Sequence, residues 1–188
     1  IFFFFIILVL IFLYYSEFNI KNYNGFKVHR TSNYEESAKI FAEITRRIDK
    51  LKEHFKNKYT CKGCGVIEKF NMNQRTKQLY ENYDKKNISE ISPNNIFGNT
   101  SFTQGKKKMV FCLRDKNGKI HDINTIMFVV LHELTHMMND QWGHELYFWE
   151  LFEIVLGDAV ECDIYKPVNY SKYPQKYCGI EINHNPLF

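Results

Sequence analysis

The chain has 188 residues and a formal net charge of only +4, from 25 basic and 21 acidic residues that are largely interspersed. At 45% hydrophobic it is too apolar for a disordered polyelectrolyte, and its one dense basic run, Lys106 to Lys108, gives nucleic-acid binding only weak support. Set apart from its first residues, a chain of this length makes one globular domain with its own core.

Residues 1 to 15, IFFFFIILVLIFLYY, carry no charge. Tyr14 and Tyr15 suit a membrane interface, where the rings are buried and the hydroxyls stay wet, and no small-residue cleavage site follows the run. A full crossing needs roughly 20 apolar residues, so Phe18 and Ile20 are needed to extend the run. The expectation is a single-pass membrane anchor over residues 1–20, its orientation open, and a domain over residues 21–188.

Ser32 followed by Glu35 has the form of a capping box. Tyr34, Ala38, Phe41, Ile44, Ile48, Leu51 and Phe55 then recur at steps of three and four, which predicts an amphipathic helix over 33–58. A polar loop with CKGC at 61–64 follows. Five cysteines, Cys61, Cys64, Cys112, Cys162 and Cys178, make an odd number without repeated spacing and a poor disulfide framework. CKGC has the spacing of a redox pair or half a zinc knuckle, but a knuckle needs a second close pair, so a loop with free thiols is expected. Asn87, Asn99 and Asn169 open glycosylation sequons that matter only in a lumenal compartment.

Residues 71–83 form a shorter, weakly patterned helix, and 87–101 have the Asn, Ser, Gly and Pro content of a loop. Met109 to Arg114 is the best strand, a candidate edge for substrate. It is closed by the turn residues Asp115 to Gly118, with a return strand over 119–121.

Asp122 or Asn124 caps the next helix, which runs through an apolar stretch into HELTHMMNDQWGH at 132–144. His132 and His136 stand four residues apart, so on a helix both imidazoles point one way and can converge on an ion at about 2.0 to 2.1 Å, the usual zinc distance. Glu133, their neighbour, is placed as a general base on water at the open coordination position. Catalytic zinc takes a third protein ligand, and His144 is expected to supply it. A continued helix would carry His144 about 12 Å too far along the axis, so the chain must turn after Met138, as Gly143 permits. The competing arrangement draws on Glu145, or on Glu150, Glu153 or Glu161 of a helix over 147–162. Trp142, Phe148, Trp149 and Phe152 are expected to pack that helix onto the histidine helix. Asp158 and Glu161 are candidates for orienting a ligand histidine, and Tyr170, Tyr173 and Tyr177 for stabilising an oxyanion.

The segment HELTHMMNDQWGH followed by ELYFWELF resembles the active-site region of the WLM/SprT-like zinc metallopeptidases, and is closest in appearance to the WLM-like proteins of large DNA viruses. MVFCLRDKNGKIHDINTIMFVVLHELTH resembles their strand, turn and catalytic helix, and YSKYPQKYCGIEI their C-terminal segment. The likeness covers about residues 30–185 and is strong from 105 onward. It implies an α+β, zincin-like metallopeptidase domain with zinc held by His132, His136 and His144, Glu133 as catalytic base, and a protein or peptide substrate. Seven residues separate His136 from His144, more than is usual in the family, which leaves the turn geometry open. Relatives that cut proteins crosslinked to DNA make a crosslink protease one alternative, and a non-catalytic zinc-containing peptide-binding module is another.

Overall fold

The computed structural model describes residues 20–29, 33–60, 66–67, 70–91 and 100–188. It opens with a hairpin, β1 (Ile20–Tyr23) and β2 (Phe26–His29). Its two-residue turn is Asn24 and Gly25, both at positive φ (51° and 83°), the backbone that a tight hairpin with right-twisted strands requires. Helix α1 (Tyr34–Tyr59) follows and buries Ala38, Phe41, Ile44, Ile48, Leu51 and Phe55, the stripe that the sequence spacing marks out. Ser32 lies outside the described residues, and the helix starts from Asn33 without a side-chain cap.

A small ladder of β3 (Val66–Ile67) and β4 (Phe70–Asn71) leads into α2 (Met72–Asn82), where the Asn71 side chain accepts the Gln74 N–H at 3.1 Å. Next come β5 (Ile88–Glu90), β6 (Phe102–Gln104), β7 (Lys108–Phe111), α3 (Ile123–Met138), α4 (Leu146–Glu161) and a terminal hairpin, β8 (Gln175–Tyr177) with β9 (Ile180–Ile182). The main sheet has the order β1-β2-β5-β7-β6, with β2, β5 and β7 parallel and the outer strands antiparallel to their neighbours. Phe41, Leu79, Phe111, Val130, Leu134 and Phe152, drawn from the four helices and the sheet, are fully buried in one core. The chain is therefore α+β.

Three expectations need correction. The anchor expected over residues 1–20 lies, apart from Ile20, outside the described residues, and Ile20 opens β1 rather than closing a span. Among the described residues no helix is long and apolar enough to cross a membrane. The 26-residue α1 is long enough but carries charge along its exposed face, while the apolar α3 and α4 have 16 residues each, about 24 Å against a hydrocarbon thickness of about 30 Å. The anchor helix and the membrane localisation drawn from it are withdrawn.

The expected substrate edge also moves. Residues 108–111 form β7, which is flanked on both sides, and the edge is β6, just beyond the 87–101 stretch read as loop, within which β5 also forms. Arg114 pairs with Ile120 only through an isolated antiparallel bridge. Finally, Cys112 and Cys178, 66 residues apart, form a disulfide that fastens the β8–β9 turn to the end of β7. Cys61 and Cys64 lie outside the described residues.

Candidate metal centre

The site is built on α3. The Asp122 carboxylate accepts the Thr125 N–H at 3.0 Å and fixes where the helix starts, so its register follows from a single cap. From that start most of α3 is buried, His132 and His136 being half-buried on one face, one turn apart. Asn139 ends the helix, and Gly143 at φ 87° takes the left-handed conformation that lets the chain double back. His144 then returns to the face it would have left on a continued helix. Its Nε2 lies 2.8 Å from His132 Nε2 and 3.1 Å from His136 Nε2. Among the described residues no carboxylate joins that group; Glu161 belongs to a second cluster with His54 and Asp158.

Three ring nitrogens this close pose a bonding problem. The His144 nitrogen carries either a hydrogen or a lone pair, so it can make at most one good hydrogen bond to the other two. A shared cation removes the conflict: tetrahedral ligands about 2.0 to 2.1 Å from zinc stand roughly 3.3 Å from one another, close to the spacings seen. The donor set fits as well. Burial holds His132 down to about 3 and His136 to about 4, and it lowers His144, so at neutral pH all three are the uncharged imidazoles that bind metal.

The cluster rests on Phe148 of α4, whose buried ring lies 4.8 Å from His132, 4.4 Å from His136 and 4.8 Å from His144, centroid to centroid. Phe152 adds a contact to His132 at 5.3 Å. These two aromatics pack the helices together, as the sequence leads one to expect, whereas Trp142 is 72% exposed.

Glu133, the neighbour of His132 on α3, lines the same cavity as the three histidines and is only 5% exposed. Burial pushes its carboxyl up to about 7, opposed by hydrogen bonding from Thr103 of the edge strand β6. A carboxyl with that affinity can both take and return a proton near neutrality.

Residues that sequence reasoning missed hold the turn carrying His144. Arg75 of α2, buried, donates to the Met138 carbonyl at 3.1 Å, to Asp140 at 2.5 Å and to the Tyr147 hydroxyl at 2.9 Å. It thus spans the end of α3, the turn and the start of α4. Lys106 donates to the carbonyls of Asn139 and Asp140, and Asn82 to that of Met137. Together they satisfy carbonyls left open at a helix C-terminus, where cations also complement the dipole. The only sequence signal was the basic run at Lys106, which a solvated strand end explains equally well.

Other expected participants sit elsewhere. Asp158 binds His54, Lys58 and Tyr59 of α1 rather than a ligand histidine. Tyr170 is buried against Phe128, and the Tyr177 hydroxyl bonds Ser101 and the Cys112 carbonyl. Neither these nor the exposed Tyr173 lines the cavity of about 660 Å3 that opens over the histidines.

The chain is 34% identical over 178 residues, 92% of its length and 84% of the relative's, to "Uncharacterized protein R325" of Acanthamoeba polyphaga mimivirus. It is 32% identical over 84 residues (43% of this chain, 46% of the relative) to "Uncharacterized protein 136R" of Invertebrate iridescent virus 6. Over 101 residues (50% of this chain, 62% of the relative) it is 35% identical to "Uncharacterized protein 042R" of Invertebrate iridescent virus 3. No protein-family model matches the chain. No solved structure matches it either, so the zincin-like class expected from the resemblance has no structural neighbour and the fold stands as α+β alone.

Proposed function

The chain belongs to the family of that mimivirus protein, and we propose that it is a zinc-dependent endopeptidase. One observation carries the reading: three neutral imidazole nitrogens converge beside a buried carboxylate one residue from the first of them. The likeness of residues 105 onward to WLM/SprT-like metallopeptidases supports the same chemistry. His132, His136 and His144 hold zinc. When bound, the ion supplies Lewis acidity that polarises a carbonyl and acidifies water. Glu133 accepts a proton from the attacking water and delivers it to the leaving amine nitrogen, a transfer suited to a carboxyl near 7. From β6, the edge on which an extended peptide can add as a strand, the Thr103 hydroxyl donates to the Glu133 main-chain carbonyl at 3.3 Å and ties that edge to the helix carrying the base. A non-catalytic peptide-binding module has no use for a buried base at the metal, which favours the enzyme.

The test is Glu133→Gln. The substituted side chain has nearly the same shape and is not a ligand, so zinc content and fold should be kept. Cleavage of a denatured protein by the zinc-loaded chain should fall at least about 100-fold, the lower end of what a positioned acid-base group contributes. Unchanged turnover in Glu133→Gln, or cleavage by the native chain that survives chelation, contradicts the assignment.

A further inference from the structure

The cavity over the histidines is walled on one side by β6, on another by α3 and α4, and on a third by the terminal hairpin that the Cys112–Cys178 disulfide fastens down. Its surface is mainly apolar. Of the seven exposed large apolar side chains among the described residues (Tyr80, Phe102, Trp142, Leu146, Tyr173, Ile180 and Phe188), three border this one cavity: Phe102, 41% exposed, Trp142 and Ile180, 47% exposed. Val129, Trp149 and Ile182 continue the apolar lining. Apolar surface left open around a polar centre is costly in a free chain unless something covers it in function.

Charge narrows what that is. Besides the histidines, the ionisable lining is Lys106, Glu133 and Glu181. The Lys106 ammonium is already engaged by the carbonyls of Asn139 and Asp140, so no arginine or free lysine among the described lining residues meets a polyanion. A volume of about 660 Å3 lies in the range of clefts that enclose small ligands, and it has room for more than one side chain. Among the described residues β6 pairs only with β7, leaving its other side to accept an extended main chain beside Glu133.

We infer that the substrate is an unfolded polypeptide with a large apolar residue, of the Phe, Leu or Met kind, flanking the cleaved bond, its main chain along β6 and that side chain in the cavity lined by Phe102, Val129, Trp149, Ile180 and Ile182. This rests on the peptidase reading and adds the selectivity. Binding there removes the residue's apolar surface and the cavity's from water together, whereas a charged residue at that position loses its hydration without a partner.

Both tryptophans of the chain, Trp142 and Trp149, line the cavity, so intrinsic fluorescence reports on it without turnover. Capped short peptides that differ only in one residue, Phe or Asp, are added to the full chain freed of metal. The Phe peptide should shift the emission and the Asp peptide should not. With zinc restored, internally quenched peptides varied beside the cleaved bond should show kcat/KM at least about 10-fold higher for Phe or Leu than for Asp or Lys. Ile180→Asp, at an exposed position of the terminal hairpin, should bring that ratio close to unity with zinc content unchanged. Equal turnover of apolar and charged peptides, or cleavage that requires added DNA, overturns the selectivity and leaves the peptidase standing. Failure to cleave any peptide removes the peptidase reading and this inference with it.

Discussion

Two clusters among the described residues bring three ligand atoms within 4.8 Å of one another: His132, His136 and His144 in the cleft, and His54, Asp158 and Glu161 between α1 and α4. They differ in what already balances them. Lys58 sends its ammonium to Asp158 at 2.7 Å and to Glu161, and the Tyr59 hydroxyl donates to Asp158 at 2.7 Å. The second cluster thus contains its own cation and is complete as an ion-pair lock between two helices. In the first cluster there is no ammonium between the rings, and their mutual contacts cannot all be hydrogen bonds. Proximity of ligand atoms does not by itself make a metal site; an unbalanced donor set does.

That contrast breaks most visibly at Asp158. Its carboxylate is almost fully buried and serves three partners, so Asp158→Ala should destabilise the chain by about 3 kcal/mol in urea unfolding, because Tyr59 and His54 lose their buried acceptor. Zinc binding should not change. If the substitution removes zinc while the fold remains, the two clusters have been assigned the wrong way round.

A subtler effect belongs to Arg75, which touches neither a ligand nor the cavity yet ties together the three segments on either side of His144. Arg75→Met should weaken zinc binding about 10-fold, the lower range for loss of a residue that orients a ligand, measured by competition with a chromophoric chelator. A cobalt-loaded sample should show a changed visible spectrum, which a loss of stability alone would not produce. Unaltered affinity and spectrum would mean that the turn keeps its shape from Gly143 and Lys106 alone.

The parts that the sequence makes legible are those where one helix carries the information. The stripe from Ala38 to Phe55 fixes α1, and Asp122 with the apolar run after it fixes α3 and hence the facing of His132 and His136. His144 is legible through the glycine before it, but the sequence cannot separate it from Glu150, Glu153 or Glu161, since the choice depends on how α4 is docked. What stays hidden is what depends on residues distant in the chain. The Cys112–Cys178 bond spans 66 residues, and no spacing rule selects that pair from five cysteines. Phe102 to Gln104 is too short to show an alternation, so the edge strand goes unmarked, and Ile88 to Glu90 is hidden in the stretch read as loop. Arg75 sits in a weakly patterned helix and takes its meaning from α3 and α4. The uncharged start at residues 1–15 lies outside the described residues, and no helix among those described is long and apolar enough to cross a membrane.

The account stands most directly on the metal content of the full chain, purified without chelator and measured by elemental analysis. The wild type should carry about one zinc per chain, held by three protein ligands. His132→Ala, His136→Ala and His144→Ala should each carry none after dialysis, and Asp158→Ala should retain the wild-type content. A wild-type chain without metal after zinc has been offered, or a zinc content that follows Asp158 rather than the histidines, would contradict the assignment of the metal to the cleft.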